Sequence, residues 1–207
     1  MLTLYNAPYS HYTQKVRRIL AFKKVPFESR IVPYHDKREL LAATGQDYTP
    51  ALVDGARVVL WDAVPDFLEQ LAPEPTLYPD GTKELARLVE DWAHARLEEL
   101  VWRVAVPDVP PKFTDAHERW VFEEIQTIKR GPLEALRARR PEFEADLDRQ
   151  LAVLDARVAG GGWLLGARPG LADFAVYGAL SPLEFAGLAL PERFAGLTRW
   201  YRAVAAI

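Results

Sequence analysis

The sequence predicts a small α/β domain followed by an all-α domain, and three observations carry that prediction. Up to Leu71 the apolar residues switch between strand and helix periods. A proline-bearing joint follows, Ala72-Pro73-Glu74-Pro75 and then Tyr78-Pro79-Asp80-Gly81. Beyond it, every patterned stretch has helical spacing. The expected domains are residues 1–75 and 82–207 of a 207-residue chain.

Leu2 to Tyr5 is a short β-type run. Val16, Ile19, Leu20 and the stem of Lys23 share one helical face, which predicts a helix over Thr13–Lys24, ended by Pro26. Phe27, Ser29 and Ile31 alternate with charged residues as a strand does. Asp36 stands where it would cap a short helix through Ala43, and Thr44-Gly45 breaks the pattern. Ala51–Val53 and Arg57–Trp61 flank Asp54-Gly55, a hairpin turn signal, so these two strands are antiparallel. A helix from Asp62 to about Leu71 carries Pro65 in its first turn, where a missing N–H is tolerated. The first two strands need a helical crossover and are therefore parallel.

In the second half, Glu84 to about Val104 places Leu85, Leu88, Val89, Trp92 and Leu97 at steps of three and four, which reads as a core-facing stripe with Trp92 in the core. Prolines break the chain over Val106–Pro111. A helix from Thr114 runs past Ile128, with a break at Gly131-Pro132. Helices over 141–158, Leu171–Gly187 and Pro191–Ala205 complete the chain.

Composition limits the function classes. Hydrophobic residues make up 49% and charged residues 27%, with a net charge of -3, so neither disorder nor a basic nucleic-acid footprint is expected. No cysteine is present, which excludes disulfides, thiol nucleophiles and CxxC redox chemistry. No signal-peptide pattern and no long apolar run occur, so a cytoplasmic protein without a membrane span is expected. No His/Asp/Glu set has metal-ligand spacing, and no phosphate-loop motif is present.

Four stretches carry more specific information. Ser10-His11-Tyr12-Thr13-Gln14-Lys15-Val16-Arg17 leads from the first strand into the first helix. Tyr48-Thr49-Pro50-Ala51-Leu52-Val53 enters the third strand. Leu60-Trp61-Asp62-Ala63 precedes the third helix. Leu165 to Phe174 contains Gly170-Leu171-Ala172-Asp173 at a helix start. In this order and spacing the chain resembles the cytosolic glutathione S-transferase superfamily, in its Ser-type branch, over essentially its whole length. The resemblance implies a thioredoxin-like N-terminal domain and an all-helical C-terminal domain. It also implies a cis Thr49-Pro50 bond, glutathione as co-substrate without a metal, a homodimer, and a role in detoxification.

The chemistry of such a site follows from glutathione's thiol, whose ordinary pKa of about 8.5 leaves little thiolate at neutral pH. A hydroxyl donating to sulfur at a helix N-terminus favours the thiolate. Ser10 is the expected catalytic residue by the resemblance; on local sequence alone it reads first as a turn or cap residue. A tyrosine near the end of the first strand serves in Tyr-type relatives, which makes Tyr5 the runner-up donor. Thr13 is expected to cap the helix, and His11 to be exposed. By the resemblance Thr49, Pro50, Asp62 and Ala63 hold the tripeptide, while Tyr9, Tyr12 and Trp102 border the site of a small hydrophobic electrophile.

Two departures matter. Ala63 stands where the family has serine, which removes a hydrogen bond to a charged carboxylate worth about 1.5–3 kcal/mol. The backbone N–H is expected to remain there, and Lys37 and Arg38 are available as compensating charge. Gly170 stands where serine or threonine would cap a helix, although Asp173 can still reach back to it. The leading expectation is therefore a transferase passing the glutathione thiolate to a small electrophile, or a related glutathione-dependent reaction. The alternative is a non-catalytic binding or adaptor protein on the same fold.

Overall fold

A computed structural model describes residues 1–207. Strands β1 (Leu2–Asn6), β2 (Phe27–Ile31), β3 (Ala51–Asp54) and β4 (Arg57–Leu60) form one sheet in the order β2-β1-β3-β4. β1 runs parallel to β2, with Leu2 opposite Phe27, and antiparallel to β3, with Leu4 opposite Leu52. β3 and β4 close the hairpin at Asp54-Gly55, where Gly55 has a φ of 59° that glycine adopts without strain. Helices α1 (His11–Phe22) and α2 (Arg38–Thr44) connect β1 to β2 and β2 to β3, and α3 (Val64–Leu71) follows β4.

The helical half begins with a continuous rod: α4 (Lys83–Trp92), a wide π-helical turn (Ala93–Leu97) and α5 (Glu98–Ala105). After short 3₁₀ turns come α6 (Ala116–Arg130), α7 (Leu133–Ala138), α8 (Arg140–Val158), α9 (Leu171–Ala186) and α10 (Ala195–Ala205). α9 is apolar around its whole circumference and is buried from Leu171 to Leu183. No helix is long and apolar enough to cross a membrane.

One apolar cluster spans both halves, joining Leu4, Ile19 and Leu68 to Val101, Phe122 and Phe174. α9 lies directly against α1 because Gly178 has no side chain: a Cβ there would sit 2.6 Å from the His11 carbonyl oxygen. That close approach fixes the first turn of α1, where the candidate chemistry lies.

Asp173 ties together three segments of the helical half. Its carboxylate accepts from the Leu164 N–H (2.9 Å), the Gly170 N–H (3.1 Å) and the Trp200 indole N–H (2.7 Å). Gly170 offers no side-chain cap, so only the Asp173 half of a capping box exists. Asp173→Asn puts an N–H donor where three donors converge. It is expected to cost about 2 kcal/mol, read as a lower urea midpoint with an unchanged m-value.

The structure corrects several expectations. α1 starts at His11 rather than Thr13, with Ser10 as its N-cap. α3 starts at Val64, with Ala63 as its N-cap. α2 starts at Arg38; Asp36 lies outside it but still accepts from the Arg38 N–H at 3.0 Å. Leu85 and Leu88 do not face the core: they are 50% and 66% exposed. Periodicity shows that a stripe exists, not what covers it. Trp92 does pack against the core.

Candidate functional site

Ser10 sits where β1 delivers the chain to α1. The turn is closed by the Ser10 N–H donating to the Ala7 carbonyl (3.0 Å) and the Gln14 N–H donating to the Ser10 carbonyl (3.0 Å). Ser10 Oγ accepts from the Thr13 N–H at 3.3 Å, and Thr13 Oγ1 in turn accepts from the Ala7 N–H. A hydroxyl that accepts one bond still has a hydrogen to donate. The His11 and Tyr12 amides have no backbone acceptor, as expected of a first helical turn. Ser10 is thus both a cap and a donor-bearing group at the positive end of a helix.

Ser10 opens onto a cavity of about 310 Å³ between the two halves, which Thr49, Tyr9, Trp102 and His11 also line. Thr49–Pro50 is a cis peptide bond; Glu74–Pro75, which no motif pointed to, is a second. Pro50 is buried beneath the cavity wall. The apolar lining is aromatic: Tyr9 lies 5.4 Å from Tyr34 and 6.0 Å from Phe122, ring centre to ring centre. The indole N–H of buried Trp102 donates to His11 Nδ1 at 3.4 Å. His11 is therefore buried, not exposed, and burial holds its pKa well below the usual imidazole range, so it is neutral.

The remaining lining is charged. Lys37 comes from the loop before α2; Glu98, Lys129 and Arg130 come from the helical half. Burial pushes the Glu98 carboxyl up to about 7, opposed mainly by Arg130. Burial also lowers the Lys37 ammonium, opposed by Glu118 and Asp47. The Tyr9 hydroxyl is pushed far up, first by burial, and stays protonated.

Tyr12 and Asp62 are not part of this cavity. They line a neighbouring one of about 450 Å³, with Trp61, Glu90 and His94. The Tyr12 ring lies 4.4 Å from Trp61 and 3.8 Å from the His11 ring. His11 and Tyr12 thus separate the two spaces. Burial pushes Tyr12 up to about 12 and His94 down to about 3. Ala63 lines neither cavity, and its N–H is already committed, to the Leu60 carbonyl (3.0 Å) and to Asp62 Oδ1 (2.9 Å). The expected free amide at Ala63 is therefore not free. Val64 and Asp66 carry the first α3 amides without a backbone acceptor, and Pro65 has none to give. Tyr5 packs with Val32, Leu40 and Ala51, away from either cavity.

A larger cavity, about 600 Å³ between the end of α9 and α10, contains none of these residues. Size does not mark the site; converging polar groups do. Sequence reading missed Glu98, Lys129 and Arg130. A Glu98-Glu99 pair looks like a solvated face, and the π-turn that positions it leaves no pattern. The spacing of Phe122, Gln126 and Arg130, four residues apart, was the available signal for α6.

A family model described as the glutathione S-transferase N-terminal domain matches residues 4–80, and one described as the glutathione S-transferase C-terminal domain matches residues 134–203. No curated protein matches the chain in sequence. Among solved structures, a glutathione S-transferase of Ceriporiopsis subvermispora in complex with glutathione is similar at a TM-score of 0.81. It is 15% identical, over 99% of this chain and 95% of its own. A glutathione S-transferase of Sinorhizobium meliloti gives 0.78 at 19% identity, over 100% and 89%. Glutaredoxin 2 of Salmonella typhimurium in complex with glutathione gives 0.78 at 17% identity, over 100% and 95%. At these identities the structures establish the fold.

Proposed function

The chain belongs to the glutathione S-transferase family, and from that premise we propose that it binds glutathione at the start of α1 and transfers the thiolate to a small electrophile. One observation carries this reading: a Ser10 hydroxyl with a hydrogen to give, beside the open amides of the first turn of α1, faces a cavity that Thr49 also lines. A thiolate seated there receives a hydrogen bond and the favourable end of the helix dipole. Thr49, Pro50, Asp62 and the start of α3 hold the tripeptide. The aromatic wall of Tyr9 and Tyr34, backed by buried Trp102 and Phe122, takes the electrophile, and Tyr12 serves the neighbouring glutathione end. Residues 1–75 and 82–207 are the two functional domains. Leu85 and Leu88, exposed on α4, offer apolar surface that a homodimer would bury.

Retention on immobilised glutathione and conjugation of 1-chloro-2,4-dinitrobenzene test the proposal. Neither retention nor turnover across a panel of electrophiles would support the second reading, a non-catalytic binding protein. The committed Ala63 amide is the observation that favours that second reading. It also yields a prediction. Ala63→Ser adds a hydroxyl at the N-cap of α3, and glutathione affinity is expected to rise about tenfold by calorimetry. Unchanged affinity would place the γ-glutamyl carboxylate elsewhere.

A further inference from the structure

The inner face of α6 changes character along its length. Phe122 is fully buried, Ile125 and Gln126 follow at the cavity wall, and Lys129 and Arg130 end the helix, all lining the same cavity as Ser10. Their spacing of three and four residues puts them on one face. Apolar surface therefore lies at one end and positive charge at the other.

The two cations differ. Arg130 is already held by Glu98 (3.4 Å), Glu99 (3.2 Å) and Gln126, and it lies 5.5 Å from the Trp102 ring. Lys129 makes no ion pair or hydrogen bond, although it is close enough to act on the Glu98 carboxyl. On the opposite wall Lys37 also lacks an ion pair and lies 5.5 Å from the Tyr34 ring, next to the segment that carries Thr49. Of the charged groups lining the cavity, three are cations and two, Asp47 and Glu98, are carboxylates. Glu98 is half protonated near neutrality. The wall therefore carries an excess of positive charge inside a chain whose net charge is -3.

We propose that the second substrate of this site is an acidic aromatic molecule, its ring against the partly exposed Tyr9, Tyr34 and Ile125 and its carboxylate against Lys129. The inference rests on the transferase reading and names the substrate class for it. With a chloronitroaromatic acid, the thiolate electron pair makes the new carbon–sulfur bond and chloride leaves with the carbon–chlorine pair. Lys129 touches only the carboxylate and sets specificity. Basic residues in a last helical turn also complement the helix dipole. That role would make no distinction between substrates, so substrate preference separates the two.

The experiment compares 4-chloro-3-nitrobenzoate with the corresponding benzamide, each rate divided by its uncatalysed rate with glutathione. The wild-type kcat/KM is expected to favour the acid by about tenfold or more, as for a charge-assisted contact. Lys129→Met should remove about tenfold of that preference, and Lys129→Arg should restore most of it. Lys112→Met, which changes net charge equally at an exposed position outside the cavity, should leave it intact. Equal use of both compounds, or a preference that survives Lys129→Met, overturns the proposal while leaving the transferase reading standing. If neither compound turns over and 1-chloro-2,4-dinitrobenzene is not conjugated either, that reading fails instead. Quenching of tryptophan fluorescence by 4-nitrobenzoate against 4-nitrobenzamide then decides the inference: tighter acid binding that depends on Lys129 sustains it, and equal binding overturns it.

Discussion

Ser10→Ala is expected to lower kcat/KM for glutathione conjugation about a hundredfold near neutral pH, the scale set by removing one aligned donor from a reacting anion. The hydroxyl hydrogen of Ser10 has no partner in the fold, while Oγ accepts from the Thr13 N–H. Without it the bound thiol loses a hydrogen bond that favours its charged form, and its pKa rises toward the free value of about 8.5. The deficit should therefore shrink as pH is raised, and the pH–rate profile should shift to higher pH. A purely structural role predicts something different. Losing an N-cap serine costs about 1 kcal/mol of stability and would leave the profile in place. Ser10→Asp separates the two roles, since it caps well but sets a negative charge beside the thiolate. Its activity should fall at least as far as that of Ser10→Ala while its stability is kept. Should Ser10→Ala retain full conjugation, Tyr9 becomes the next donor. Its protonated hydroxyl belongs to a ring lining the cavity, whereas Tyr5 is packed under α2.

Much of this site was legible, for identifiable reasons. The β1–α1 turn is a local device: a short strand, a polar loop and a helical face starting near Val16, so Ser10 was placed within one turn of its true position as the N-cap. The cis Thr49-Pro50 bond was legible through the resemblance of Tyr48–Val53 to the family's motif; that X-Pro bonds can be cis does not single one out, and Glu74-Pro75, also cis, carries no such motif. What failed depended on contacts between distant segments. Leu85 and Leu88 form a genuine apolar stripe, but periodicity carries no information about whether a partner lies over it. His11 looked like an exposed loop residue and is buried, because Gly178 brings α9 down onto its backbone. The Ala63 amide was expected to stay open, and a turn bond to Leu60 closes it. Glu98 reaches the cavity through a π-turn in a helix whose sequence reads as regular.

Glu90→Leu is expected to cost about 3–5 kcal/mol, the largest stability loss predicted for this chain. The reason lies with Lys15, which reads in sequence as an ordinary polar position but has a fully buried side chain. Its ammonium is 2.6 Å from Glu90 Oε1, and the Tyr12 and Trp61 ring centres are 5.7 and 5.5 Å away. Glu90 Oε2 accepts from Arg87 at 2.7 Å, and Arg87 reaches Asp66 on α3 at 2.7 Å. The chain of charges thus clamps α1 to α4 and α3 beside the cavity of Asp62. Removing Glu90 leaves Lys15 buried with the Arg87 cation nearby and only the more distant Asp62 carboxylate to oppose it. Lys15→Met is expected to be far milder, because Arg87 still pairs with Glu90. Lys15→Met combined with Glu90→Leu should recover most of the single-variant loss, a coupling that a double-mutant cycle reads directly. Burial already holds Lys15 below the ordinary lysine value of 10.5, with Glu90 the main opposing influence, so Glu90→Leu lowers it further. Between the lowered folded value and 10.5 the unfolded chain binds a proton that the folded chain does not, and stability rises with pH across that window. Urea unfolding of Glu90→Leu at about pH 6 and about pH 9 should therefore show a smaller deficit at the higher pH. A pH-independent deficit would mean that lost packing, rather than an uncompensated charge on Lys15, governs the site.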